Sequence, residues 1–305
     1  MDRFYSLHIA ILFLEGADKM TWIQSIQQAI TYIEKNLLEE IAIEDIAREA
    51  HCSAFHFQRV FSILTNMTVA DYIRKRRMTL AAQDLISTDE KIITIALKYG
   101  YDSPESFTKA FRKQHLLSPS EVRKQEGTIT SYLPLTIHVS LKGAEPMNYQ
   151  IIDKDSFQIL GSKRTYNCKT GENTKNIPLF WDEANANGTP ELLSKQNDGV
   201  IDGILGVCVA HADYAHTEMI DYWIATTSTA HSDDFETLTI PSSKWVKFEV
   251  HGAMPHAMQN TWKQIYSEWF PANPYTPTGT PELEVYTDDD PSSPDCYSEI
   301  WIPIK

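Results

Sequence analysis

One short design occurs twice between residues 41 and 124, and it restricts this part of the chain to few folds. In each copy an apolar helical stripe leads into a tight turn that ends on serine, and a second helix follows. Ser53 and Ser103 are placed as N-caps, where a hydroxyl accepts from a free backbone N–H. Pro104 then occupies the first helical position, where its missing N–H costs nothing. The pattern predicts two helix-turn-helix units in tandem.

The second helix of each unit has an apolar face and a polar face. The apolar residues Phe57 and Phe61 in the first, and Phe107 and Phe111 in the second, are expected to face the core. Because such a helix fits the major groove of B-DNA, the other face is the candidate DNA-reading surface. The residues expected to face outward are Phe55, His56, Gln58 and Arg59 in the first helix and Pro104, Glu105, Ser106, Lys109 and Arg112 in the second. Two alternatives stay open: Phe55 as a core residue, and Glu105 as a charge that only favours the helix N-terminus.

An amphipathic segment, 69–86, lies between the units. As a single rigid helix it would set the two reading helices about 34 Å apart, one turn of DNA, so that a monomer reaches two adjacent major grooves. A basic run at 74–77 lies within this segment, and Arg76 is assigned to DNA phosphate. Pairing of these cations with local acids is the alternative.

Residues 41–124 resemble the DNA-binding domain of the AraC/XylS family of bacterial transcription regulators. The sequences that carry the resemblance are FHFQRVF, TVADYIRKRRM, KYGYDSPESFTKAFRK and SPSEVR, and together they cover about a third of the chain. The resemblance implies base-reading positions at Phe55, Gln58 and Arg59 in the first unit. In the second unit it implies Pro104, Glu105, Ser106 and Lys109. Arg59 can pair with guanine and Glu105 can accept from cytosine.

The acidity of the chain is concentrated in its second half. Residues 1–127 hold 16 Lys and Arg against 17 Asp and Glu, whereas residues 128–305 hold 11 against 24. We therefore expect the second half not to touch DNA. The four cysteines are far apart and form no C-x-x-C pair, which argues against a zinc site or a disulfide framework and fits a reducing cytosol. No apolar run is long enough to span a bilayer. The sequence predicts a cytoplasmic protein with no cofactor, no metal and no membrane partner.

Helical periodicity stops after residue 124, and a repeated strand–helix–strand–strand pattern follows. The predicted strands are 157–165, 203–211, 219–227, 244–251, 281–287 and 297–304, and the predicted helices are 177–186 and 254–270. Two such units would pair into one antiparallel sheet with helices on one face and a small molecule on the free, concave side. We predict an all-α tandem helix-turn-helix domain (20–127), a linker (128–147) and an α+β domain (148–305). Residues 1–19 are interpreted as a leader, either disordered or wrongly assigned to the protein.

The second half resembles the GyrI-like effector-binding domain, through WVKFEVHGAMPHAMQNTWKQIYSEWFPANPY, PELEVYTDD and SEIWIPIK. This resemblance implies an aromatic-lined pocket with a buried carboxylate for lipophilic cations or other small hydrophobic molecules. A carboxylate among rings attracts a cation by charge and by ring quadrupole. The carboxylate candidates are Glu284, which corresponds to the pocket glutamate of the family, and Glu299. The ring candidates are Tyr222, Trp223, Trp245, Trp262 and Tyr286, while Trp181 and Trp269 are assigned to the core. Alternatively, these acids lie on the wet face of a half-buried sheet.

The predicted function is a sequence-specific transcription regulator, an activator, that senses a small hydrophobic molecule, either a lipophilic cation or a neutral compound. RNA polymerase is a candidate further partner, and both a monomer and a homodimer remain open. One alternative is a module that sequesters a small molecule, with DNA binding secondary. The other is an enzyme that uses the pocket carboxylate as a general base. The chain lacks a nucleophile elbow, metal-ligand spacing and a phosphate loop, so we predict that it is not an enzyme.

Overall fold

The computed structural model describes residues 22–137, 146–279, 281–287 and 290–305. Its first part is helical and its second part is built on an antiparallel sheet, as the sequence predicted, but the sheet has eight strands where the sequence predicted six. The predicted leader, 1–19, and residues 138–145 of the predicted linker lie outside the described residues.

The first part contains both predicted helix-turn-helix units. Its helices are α1 (Trp22–Lys35), α2 (Ile43–Glu49), α3 (Ala54–Thr65), α4 (Val69–Ser87), α5 (Ile92–Lys98), α6 (Pro104–His115) and α7 (Pro119–Arg123). The Ser53 hydroxyl accepts from the backbone N–H of His56 at 3.2 Å and caps α3. The Ser103 hydroxyl accepts from the N–H of Ser106 at 3.1 Å and caps α6. Within the described ranges, no helix is long and apolar enough to cross a bilayer.

The predicted apolar faces of both units are buried. Phe57 and Phe61 lie in the core that α3 shares with α1 and α2, and Phe107 and Phe111 lie in a second core against the C-terminal half of α4. These buried rings hold the second helix of each unit against the core.

Arg76 of α4 is not placed to contact DNA, so its assignment to a phosphate is wrong in this structure. Its side chain is buried and forms a bidentate pair with Glu34 of α1, with Nε to Oε1 at 2.9 Å and Nη2 to Oε2 at 2.8 Å. Its Nη1 donates to the carbonyl of Tyr132 at 2.5 Å. The planar guanidinium suits this fixed fork and holds α1, α4 and the following chain together.

The first part of the predicted linker, 128–137, packs against the helical part. The N–H of Tyr132 donates to Thr79 at 3.0 Å and the N–H of Leu135 donates to the Tyr72 hydroxyl at 2.9 Å. The N–H of Ile137 donates to the Gln27 side chain at 3.0 Å. These hydrogen bonds hold residues 132–137 on the surface of the helical part.

The second part is a doubled unit. Its strands are β1 (Tyr149–Lys154), β2 (Phe157–Asn167), β3 (Ile204–Ala210), β4 (Met219–Thr227), β5 (Glu236–Ile240), β6 (Ser243–His251), β7 (Glu282–Tyr286) and β8 (Tyr297–Ile304). They pair antiparallel in the order β1-β6-β8-β7-β3-β4-β2-β5. The repeats meet where β3 pairs with β7. The edge strands β1 and β5 were not predicted.

The helices of the second part are α8 (Glu172–Ala186), α9 (Thr189–Ser194), α10 (Tyr214–Thr217), α11 (His256–Gln264) and α12 (Phe270–Ala272), and a π-helical turn, Ile265–Trp269, joins the last two. The side chains of α8 and α11 pack on one face of the sheet. The other face carries a buried apolar cluster that includes Trp223, Trp245 and Trp301. The sequence predicted a ligand on that helix-free side, and this is wrong because its own side chains fill it.

Candidate functional site

At the centre of the helix-bearing face, the Glu284 carboxylate of β7 accepts hydrogen bonds from three aromatic side chains. Trp262 Nε1 of α11 donates at 2.7 Å, the Tyr286 hydroxyl at 3.0 Å and the Tyr222 hydroxyl at 3.2 Å. The Tyr222 oxygen accepts in turn from Trp181 Nε1 at 3.0 Å. Burial, and then the neighbouring Glu284, raises the pKa of both tyrosines well above its usual value, so they remain donors. Neutral donors orient a carboxylate without cancelling its charge.

Strand register explains why these groups meet. Glu284 pairs with Gly206 of β3, and Tyr222 of β4 pairs with Cys208 two residues further along β3, so all four positions share one face. Gly206 leaves the space that the network occupies. A Cβ atom there would lie 2.4 Å from the Tyr222 hydroxyl oxygen and 3.2 Å from Glu284 Oε2.

The Gly206→Ala variant is expected to weaken binding of a cationic probe about tenfold, a loss of about 1.4 kcal/mol. The added methyl pushes the Tyr222 hydroxyl away from Glu284 and removes no polar group. Calorimetric titration with tetrabutylammonium, a lipophilic cation, measures the change. The Ser242→Ala variant is the control, because Ser242 is exposed in the turn between β5 and β6, away from the cleft. Equal affinities in both variants would contradict this account of Gly206.

The structure separates the predicted ligand-binding residues into two groups. Those that meet on the helix-bearing face are Glu284, Tyr222, Tyr286 and Trp262. Those that lie on the opposite face, away from Glu284, are Trp223, Trp245 and Glu299. The prediction was wrong for the second group because successive strand residues point to opposite faces, so the neighbours Tyr222 and Trp223 cannot line one pocket.

Glu299 already has a cationic partner. Lys247 Nζ donates to it at 2.9 Å, Trp301 Nε1 at 2.7 Å and the Tyr297 hydroxyl at 2.8 Å. Because Lys247 already neutralises the charge of this carboxylate, Glu299 is a poor candidate for binding a cationic ligand.

Sequence reasoning missed two residues of this site. Trp181 was assigned only to the core; its side chain is partly buried against the core and also lies edge-on to Tyr286, with 5.0 Å between ring centroids. Glu282 was not considered, although it lies two residues before Glu284 on the same strand face. Strand alternation was a signal that could have identified Glu282. Trp269, also assigned to the core, is buried there.

A cleft of about 540 Å³ opens beside Glu284, and α3 of the first helix-turn-helix unit forms one wall. The wall on the other side includes Cys208, Trp262 and Glu284. The residues of α3 that were predicted to face outward instead face the second domain: Phe55, His56 and Gln58 are 5%, 4% and 7% exposed. The exposure predicted for this face is therefore wrong in this structure, because its polar side chains find matching groups on the second domain.

Arg59 of α3 is the main link across the cleft. Its Nε donates to Glu282, and its guanidinium carbon lies 4.4 Å from the centroid of the Trp262 ring. The other Glu282 oxygen accepts from the Tyr266 hydroxyl at 3.0 Å. Burial raises the pKa of Glu282 above its usual value, and Arg59 opposes that rise. Burial lowers the pKa of Arg59, but the combined attraction of Glu282 and the neighbouring Cys208, Tyr266 and Glu284 outweighs burial and raises it. The charged forms of Arg59 and Glu282 therefore stabilise each other in this buried site.

Gln58 forms a second polar link. Its Nε2 donates to Glu218, and its Oε1 accepts from the Tyr214 hydroxyl, so both ends of the amide are satisfied. The Phe55 ring lies edge-on to Tyr214 at 5.3 Å between centroids. His56 packs on Tyr266, and burial, followed by the nearby Arg59, lowers its pKa to about 4. His56 is therefore neutral at pH 7.

The second unit presents its predicted reading face to solvent. Glu105, Ser106, Lys109 and Arg112 of α6 are exposed and Pro104 is partly exposed, as the sequence predicted. The Ser106 hydroxyl donates to the Ser103 carbonyl at 3.0 Å and thus also serves the helix start. The two units differ in this structure: α6 is open to DNA, whereas α3 is covered.

Comparison with known proteins assigns the two parts separately. A family model described as integron-associated effector binding protein matches residues 150–304, and one described as a helix-turn-helix domain matches residues 46–125. The uncharacterised HTH-type transcriptional regulator YbfP of Bacillus subtilis is 42% identical over 34% of this chain and 35% of its own length. The HTH-type transcriptional activator AarP of Providencia stuartii is 40% identical over 34% of this chain and 79% of its own. The solved structure of SAV2435 bound to tetraphenylphosphonium is 30% identical over 52% of this chain and 94% of its own, with a TM-score of 0.47.

Proposed function

This chain belongs to the family of integron-associated effector-binding proteins and carries an AraC-type helix-turn-helix domain, and from this we infer that it is a DNA-binding transcription activator controlled by a small hydrophobic cation. The observation that carries the proposal is the Glu284 carboxylate, held by three neutral aromatic donors beside an open cleft. A cation there gains from the carboxylate and from the faces of the surrounding rings.

DNA binding is supported by the capped and exposed helix α6. Lys109 and Arg112 lie on its solvent face, where a major groove would accept them. Activation is supported by AarP, a transcriptional activator similar to this chain over the helix-turn-helix region. The match to YbfP spans about a third of that protein, so its regulatory role is carried over only as part of this proposal.

Arg112 is exposed and lies outside the base-reading positions that the resemblance implies, so it is the candidate for a phosphate contact. The Arg112→Ala variant is expected to bind DNA more weakly, and the slope of log K against log salt is expected to become shallower by about one. Each phosphate contact that is lost retains about one counterion on the DNA. Fluorescence anisotropy of a duplex selected in vitro with the full chain measures both quantities. The matched control is Lys263→Ala, an exposed lysine of the second domain. If the wild-type chain selects no duplex from a random pool, the proposed function is wrong.

The effector arm uses the same duplex with tetraphenylphosphonium as the probe. Saturating probe is expected to change the affinity of the wild-type chain for DNA. Binding of the probe with no effect on DNA affinity would favour a module that sequesters small molecules.

A further inference from the structure

The cleft beside Glu284 lies between the second domain and the first helix-turn-helix unit. Helix α3 forms one wall of it with side chains that the sequence assigns to base reading, among them Gln58 and Arg59. Arg59 supplies the guanidinium that faces the Trp262 ring and pairs with Glu282. A cation thus lies on an aromatic ring next to a carboxylate, the arrangement by which such a site holds a positively charged ligand.

Polar side chains on both sides of the contact between α3 and the second domain are paired with each other. Glu282 is 1% exposed and receives both Arg59 and the Tyr266 hydroxyl. A buried carboxylate without a cation is costly, so Glu282 is suited to an arginine at this place. The Gln58 amide is satisfied independently by Glu218 and Tyr214. Two polar side chains of α3 therefore find two separate sets of partners.

The same face of α3 cannot serve two surfaces at once. A helix that reads DNA lays this face against base edges in the major groove. In the cleft, Phe55 and Gln58 are covered by the second domain, so base edges cannot reach them. Docking in the cleft and reading DNA by the first unit are mutually exclusive.

The effector site shares a side chain with this docking. The Trp262 indole N–H donates to Glu284, while its ring lies under the Arg59 guanidinium. Glu284 and Arg59 also line the same cleft. A cation that binds Glu284 and spreads over the ring of Trp262 would meet Arg59, and charge repulsion adds to the overlap.

We propose that the effector cleft is a docking site for the DNA-reading face of α3, and that an effector cation at Glu284 displaces α3 and so releases the first unit to bind DNA. This inference rests on the proposed function and adds its mechanism. The docked chain presents only α6 to DNA, whereas the released chain presents both reading helices. Effector and DNA favour the same released state, so each strengthens binding of the other.

The test weakens docking from the side of the second domain, which leaves every residue of α3 intact. Glu282→Gln keeps the shape of the side chain and removes the charge that holds Arg59. Glu218→Gln weakens the link to Gln58 and provides an independent variant in case the first does not fold. Glu236→Gln, an exposed acid at the sheet edge, is the matched control.

Two measurements are made on the full chain. DNA affinity is measured by anisotropy, with a duplex selected in vitro by the Glu282→Gln protein. Docking is measured by the rate at which a thiol reagent labels Cys208, a buried residue of the cleft, followed by peptide mass mapping. Both docking variants are expected to bind the duplex about fivefold or more tightly than wild type and to label faster at Cys208. The control is expected to match wild type in both.

The effector arm adds saturating tetraphenylphosphonium. It is expected to tighten DNA binding of the wild type and to have a much smaller effect on Glu282→Gln, in which α3 is already released. Faster labelling of Cys208 with unchanged DNA affinity in both variants would overturn the inference and leave the proposed function standing. Absence of DNA binding in every variant would overturn the proposed function as well.

Discussion

Replacement of Arg59 by alanine is expected to lower the free energy of unfolding of the docked chain by about 3–5 kcal/mol. The variant leaves Glu282 buried in the cleft with only the Tyr266 hydroxyl as a partner. It also removes the cation from the face of Trp262. Urea unfolding followed by tryptophan fluorescence measures the loss.

The stability lost in the Arg59→Ala variant cannot exceed the free energy by which α3 docks on the second domain. The chain can let α3 leave the cleft so that water reaches Glu282, and the measured loss then equals the free energy of docking. Faster labelling of Cys208 would identify this route. The control is the double variant Arg59→Met with Glu282→Leu, which replaces the buried ion pair by apolar groups and is expected to recover most of the stability. Equal stabilities of the single and double variants would show that the ion pair does not hold α3 in the cleft.

The Glu284→Gln variant is expected to bind tetraphenylphosphonium about 100-fold more weakly, a loss of about 2.7 kcal/mol. The amide removes the negative charge that attracts the cation. It also turns an NH₂ group toward a site where Trp262, Tyr222 and Tyr286 all donate, so at least one donor loses its acceptor. Calorimetric titration of the full chain measures the affinity.

Two controls separate charge from shape at Glu284. Triphenylphosphine oxide, a neutral compound of similar shape, is expected to bind the wild type and Glu284→Gln with similar affinity. The Glu299→Gln variant changes a carboxylate on the opposite face of the sheet, beside Lys247, and is expected to keep wild-type affinity for the cation. If Glu299→Gln instead caused the larger loss, the site would belong on that face.

Local chemistry made much of the fold predictable. Ser53 and Ser103 located both reading helices, because an N-cap needs a short polar side chain at one position. Alternation in β7 placed Glu284 and Tyr286 on one face, as the structure has them. By the same alternation, the adjacent residues Tyr222 and Trp223 of β4 lie on opposite faces, so Trp223 is not near Glu284.

Partners far apart along the chain were not predictable from periodicity. A helical pattern shows that one face of α3 is polar, but not which surface it meets. Gln58 and Glu218 are 160 residues apart, and Arg59 and Glu282 are 223 apart. The same limit explains why Arg76 was wrongly assigned to DNA. Its partner, Glu34, lies 42 residues away, and pairing with it buries the Arg76 side chain.

The position of Arg59 between Glu282 and Trp262 restricts how the protein can change. A substitution there alters the contact with the cleft in the same step as any contact with a base. Evolution of a new operator preference through residue 59 would therefore have to be accompanied by compensating change at residue 282 or 262. Lys109 and Arg112 of α6 face solvent and carry no such double requirement from the second domain in this structure. Engineering of operator specificity should therefore begin in α6.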